Sequence, residues 1–233
     1  MSPLRTGLGL GTITDVAGGW AIAVAVATGV VAAVLWRSLL PRLAEPATEE
    51  DKRPYASLTG RRETTLVFLA AAVAGAGAML LAPAESLPQW LVLATVGVCL
   101  AAVDGFTTWI PARPNRWAWL VMASGVAAAW GLAGASAADL TRSLAGAAAS
   151  VAFYLGAWLI TRRGFGFGDV RFVPLIGAAT AATGWTTWYA GLAYGSLLAL
   201  AHALTRLLRH APGLHPWAPG LLLGGFVALL LSR

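Results

Sequence analysis

The chain holds one cysteine, three histidines and few charges: only 11% of its 233 residues are Asp, Glu, Lys or Arg. A lone Cys99 excludes an internal disulfide and any cysteine-based zinc cluster. Its place within an apolar run predicts a small buried side chain. His202, His210 and His215 are scattered, without acids at ligand spacing, so no metal site is expected. No basic stretch is interleaved with aromatics on a polar face, which argues against nucleic-acid binding. Polar surface is too scarce for a soluble globular domain. Nothing reads as a nucleotide-type cofactor loop, and no cofactor is expected.

What is abundant is apolar sequence, 58% of the chain. It comes in runs near the ~20 residues that cross a bilayer, at about 17–36, 65–83, 89–110, 117–135, 143–160, 170–183, 186–205 and 217–231. The expected fold is all-α: a polytopic integral membrane helical bundle of about eight transmembrane helices, one membrane domain over 1–233. The sixth run is the weakest, being short and carrying Pro174. The first lacks a tight basic flank and a small-residue cleavage site, and reads as a signal anchor. Ala-Gly stretches such as 70–78 predict close helix packing. Trp20, Trp36, Trp90, Trp109, Trp117, Trp130, Trp158, Trp185 and Trp217 fall near run ends and are expected to be interfacial anchors.

Basic residues orient the bundle. With the N-terminus outside, Arg37, Arg42, Lys52, Arg53, Arg61, Arg62, Arg113, Arg116, Arg162, Arg163, Arg171, Arg206 and Arg209 are cytoplasmic. Arg5, Arg142 and Arg233 stay on the other side, a positive-inside bias. The net charge of +6 then reflects topology and contact with anionic membrane lipid. Residues 37–63, rich in turn formers and mixed charge, form a short charged cytoplasmic loop.

Ten acidic residues sort by depth. Glu45, Glu49, Glu50, Asp51 and Glu63 belong to that loop, and Asp15, Glu85 and Asp139 to the outer face. Asp104 and Asp169 remain, each at the end of an apolar run. A carboxylate in or beside the hydrocarbon layer is costly, so each is a functional candidate. The third run descends toward the cytoplasm and meets Asp104 about seven residues before Pro111; Asp169 starts the sixth run from the same side. Both acids therefore reach one face at similar depth. Two close carboxylates cannot both ionise, so one can take a proton from water while the other hydrogen-bonds a carbonyl. They titrate as a unit.

Gly164, Gly166 and Gly168 alternate with Phe165 and Phe167, a poor helix-interior pattern that suits an extended entry close to a substrate backbone. The plainer reading is an interhelical turn whose Asp169 caps the next helix. Thr107 and Thr108 can hydrogen-bond either Asp104 or the preceding turn. His202 is expected to be a helix-end polar residue facing the bundle.

Gly166-Phe167-Gly168-Asp169 with Val170-Arg171 resembles the GxGD motif of prepilin peptidases, the type IV leader peptidases among intramembrane aspartic proteases. Asp104, followed by Ile110-Pro111 and then Asn115, is similar to their first catalytic stretch, with Asn115 displaced from the proline by Ala112-Arg113-Pro114. Pro216-Trp217-Ala218-Pro219-Gly220-Leu221 looks like their Pro-Phe-Gly-Pro-Phe-Leu run. The resemblance covers about 65–231. It implies an aspartic endopeptidase with Asp104 and Asp169 catalytic. Prepilin or pseudopilin-like substrates would lose a basic leader at the cytoplasmic face of a bacterial or archaeal cell membrane. The four-cysteine zinc insert of many members is missing here. So is their N-terminal Gly-Ser-Phe-Leu-Asn-like pattern, which leaves N-methylation outside the expectation. Glu45, Glu49, Glu50 and Asp51 could hold the basic leader, although a solvated linker is the plainer reading. Two other classes compete: a proton- or cation-coupled carrier, which also uses paired membrane acids, and a non-catalytic scaffold of a pilus or secretion system.

Overall fold

In the computed structural model, residues 10–44, 53–162, 165–210 and 215–233 are described, and among them every regular element is helical. The long helices are α1 (Leu10–Leu39), α2 (Arg61–Leu81), α5 (Ala112–Leu132), α6 (Ala137–Ile160), α7 (Phe167–Thr183), α8 (Trp185–Leu208) and α9 (Ala218–Leu231). Between α2 and α5, α3 (Leu87–Val92) and α4 (Val98–Thr107) form one rod through a π turn at Leu93–Gly97. The eight expected runs each fall on a helix or on this rod, within a few residues at most ends.

Among the described residues, five segments are long and apolar enough to cross a membrane: Gly18–Arg42, Arg61–Leu81, Ala84–Thr107, Ala137–Ile160 and Trp185–Leu208. Ala218–Leu231 is apolar but shorter. The outside of the bundle is apolar as well, with Ile160 83% and Leu132 88% exposed. Water would not tolerate so continuous an apolar exterior, and lipid does. The chain is a membrane-embedded helical bundle.

α7 is the axis of this bundle. It has 17 residues, so it rises only ~25 Å, less than the ~30 Å hydrocarbon thickness. Nearly all of it, from Asp169 to Ala182, is buried or half-buried. A helix apolar all round belongs inside protein, which explains why this run reads as a weak span. Pro174 inside it cannot donate to the preceding turn. In that turn the Trp119 indole donates to the Arg171 carbonyl at 2.8 Å.

The end of α7 remote from Asp169 is clamped. Arg142 of α6 donates to the carbonyls of Ala181 (2.8 Å) and Ala182 (3.0 Å) and pairs with Asp139. Trp90 donates its indole N–H to Thr183 Oγ1 at 2.9 Å. Arg142→Ala strips two donors from the C-terminal carbonyls of α7 and should lower stability by about 2 kcal/mol, measurable by denaturant unfolding in detergent. An unchanged midpoint would contradict the clamp.

Two expectations about tryptophan need correction. Trp36 and Trp90 are fully buried; their indoles are consumed by Leu58 O (2.8 Å) and Thr183 Oγ1 rather than by headgroups. His202 also differs: it is exposed, not turned into the bundle. Cys99 is half-buried, its thiol directed at the Ala32 carbonyl.

Candidate active site

Asp104 lies in the last turn of α4, and α4 stops there for a local reason. Thr108 takes left-handed backbone (φ 56°), rare for a β-branched residue. Its N–H bonds back to the Asp104 carbonyl at 2.6 Å. The chain then turns through Trp109 and Ile110 to Pro111, which precedes α5. Thr107 gives its hydroxyl to Val103 O (2.7 Å) and Trp109 O (3.2 Å), and Thr108 to Thr107 O (2.7 Å). Both threonines therefore serve the turn.

Asp169 enters from the first turn of α7. Gly166 is the N-cap, and no side chain caps this helix. The capping role for Asp169 is therefore not what the structure has. Its carboxylate is buried, and among the described residues Oδ1 has no hydrogen-bond partner. An unsatisfied buried acid costs free energy unless something else meets it.

The two aspartates line one cavity of about 520 Å³ and lie within each other's Coulomb field. They differ in partners. Asp104 Oδ2 accepts the backbone N–H of Ala218 at 3.0 Å, at the N-terminus of α9 where orphan donors and the helix dipole favour an anion. This bond joins residues 114 positions apart. Pro219, at the second position of α9, packs toward Gly105. The Pro216–Leu221 run thus touches Asp104 directly.

The glycine turn meets the Ile-Pro stretch in the same way. A Cβ on Gly168 would lie 3.0 Å from Ile110 Cβ, so the absent side chain is what lets the two segments close. Buried Asn115 turns its amide toward the Gly168 carbonyl at 3.5 Å. Val170 faces the core beneath, and Arg171 rests its guanidinium over the Phe167 ring at 4.7 Å. Pro111 and Pro216 are buried at the edges of the site.

Sequence reasoning missed part of the wall. Phe165, Trp217, Trp109 and His215 also line the cavity, Phe165 and Trp217 with ring centroids 5.5 Å apart. Their one sequence signal was position, since His215 adjoins Pro216 and Phe165 sits inside the glycine alternation. Gly164 and the acidic residues 45–51 lie outside the described residues. Among those described, no three His, Cys, Asp or Glu side chains gather as metal ligands would.

Chemically, the cavity offers two carboxylates, one held by the Ala218 backbone N–H and one with an oxygen, Asp169 Oδ1, that has no partner among the described residues. Around them are apolar rings and a glycine edge that an extended peptide could approach. Compared with family models, curated proteins and solved structures, the chain matches none.

Proposed function

We propose that this chain is an intramembrane aspartic endopeptidase that removes the basic leader from type IV prepilin or pseudopilin-like substrates. The observation that carries the reading is the convergence of Asp104 and Asp169, from α4 and α7, on one cavity. The contacts among the three segments that resemble prepilin peptidase motifs support it: Ile110 on Gly168, and the Ala218 N–H on Asp104.

In this mechanism Asp104, already accepting a backbone N–H, carries the negative charge and takes a proton from the attacking water. Asp169 holds the shared proton on Oδ1, the oxygen without a partner among the described residues, and hydrogen-bonds the scissile carbonyl oxygen, where charge develops. The water oxygen bonds to the carbonyl carbon. Collapse of the tetrahedral intermediate breaks the C–N bond, with a proton passing to the leaving amine. The products are a leader carboxylate and a new amino terminus.

The topology that fits this reading has eight crossings, with α5 and the shorter α7 and α9 completing the five spans. The N-terminus is outside and the dyad faces the cytoplasm of a bacterial or archaeal cell membrane, where a basic leader would emerge from its hydrophobic helix. Neutralising Glu45, Glu49, Glu50 and Asp51 together should slow cleavage severalfold if they hold the leader; an unchanged rate would remove that role.

Gly168→Ala pushes Ile110 away by a few tenths of an ångström and should reduce cleavage about tenfold with stability nearly unchanged, because small misplacements near reacting groups are costly. Full activity would show that the Gly168–Ile110 contact does not set the geometry. The reading as a whole is tested by co-expression with a prepilin-type substrate in membranes: leader removal supports it. Proton or cation flux through vesicles, with no cleavage, would favour a carrier.

A further inference from the structure

A second cavity lies behind the site. Between α1, α4 and α5 a groove of about 430 Å³ runs along Leu39, Val96, Leu100 and Val121. Val103, the neighbour of Asp104, forms part of its wall. The groove is therefore at the same end of the bundle as the dyad, on another face of α4.

Its described lining is apolar apart from Arg42 and Arg113, and among the described residues no acidic one lines it. Arg42 closes the 3₁₀ turn Leu40–Arg42 that follows α1, and Arg113 sits in the first turn of α5. Both residues are exposed. Trp117 stands on the rim, 67% exposed, with an indole N–H suited to the polar edge of a membrane.

We propose that this groove binds one anionic phospholipid, its acyl chain along the apolar wall and its phosphate between Arg42 and Arg113. The charge pattern selects this occupant. An apolar slot with cationic donors only at one end matches a molecule with an apolar body and one anionic end. Guanidinium forks suit phosphate oxygens, and basic pockets between membrane helices hold acidic headgroups. The N-terminus of α5 adds partial positive charge at the same point. This inference does not depend on the protease reading.

The test is native mass spectrometry of the full chain from detergent micelles doped with equal phosphatidylglycerol and phosphatidylcholine. The native chain should retain one phosphatidylglycerol in preference to phosphatidylcholine. R42Q/R113Q should weaken that retention on the order of 30-fold, from two arginines near a charged headgroup. R206Q/R209Q removes two arginines at the end of α8, a helix that does not line the groove, and should leave it unchanged. R42K/R113K, which keeps the charge, should retain part of the preference and serves if the neutral variant is unstable.

Equal retention of both lipids overturns the proposal. So does equal loss in both glutamine pairs, which would mean general attraction to charge. Displacement of the lipid by inorganic phosphate would reduce the site to a bare anion site and remove the acyl part of the claim.

Discussion

Replacing Asp169 by asparagine should lower leader cleavage at least 100-fold while the bundle stays folded. Removal of a positioned acid or base typically costs ~10²–10⁴ in rate. Asparagine has nearly the same shape, and Asp169 Oδ1 has no partner to lose, so the fold has no reason to change. Asp104→Asn should do the same to the rate, because its remaining carbonyl oxygen can still accept the Ala218 N–H. The double variant should be no slower than either single one, since the two carboxyls act as one unit. Cleavage by size-matched immunoblot of membranes at equal expression reads all three. If either single variant retains native rates, the two-carboxylate mechanism fails. A scaffold would lose nothing in assembly from any of these changes.

Gly224→Ala should be the most damaging single methyl group in the bundle. A Cβ there would lie 2.1 Å from Gly195 N and 2.3 Å from Gly195 Cα. Those atoms are backbone of α8, so neither can swing aside. α9 would have to retreat from α8 by roughly 1 Å at a contact built without side chains. Overpacking of this kind costs about 1–3 kcal/mol, sometimes more. The consequence extends to the site, because α9 carries the Ala218 N–H that Asp104 accepts. Both a lower unfolding midpoint in detergent and at least a tenfold loss of cleavage are expected. Gly131→Ala is the control. Nothing stands within 4 Å of its added methyl, and alanine is the better helix former by about 1 kcal/mol. Equal behaviour of the two variants would contradict the close α8–α9 contact.

The sequence was most legible where lipid dictates composition. Apolar runs of bilayer length located the helices, and their ends fell close to the observed caps. It was least legible where tertiary contact decides. Trp36 and Trp90 sit near run ends like true anchors, but their indoles find a carbonyl and a threonine inside the bundle. The π turn at Leu93–Gly97 has no sequence mark, yet the extra residue rotates α4 relative to α3 and so sets the direction of Asp104. Asp104 and Asp169 stood out because a carboxylate is conspicuous among apolar residues. Topology gave the expectation that both reach one face at similar depth, and the shared cavity is what the structure adds. The link between Asp104 and the start of α9 was not readable, since a backbone N–H leaves no trace in side-chain pattern. His215 was passed over because a histidine without paired acids resembles any polar loop residue.

The central claim is that this chain by itself hydrolyses a peptide bond with Asp104 and Asp169. The most direct measurement is mass spectrometry of a prepilin-type substrate incubated with the purified chain in liposomes free of other proteins. The account predicts two products, a basic leader and a mature chain with one new amino terminus at their junction, and neither product with Asp169→Asn. Appearance of the same products with Asp169→Asn at the native rate, or an intact substrate wherever the native chain is correctly inserted, would contradict it.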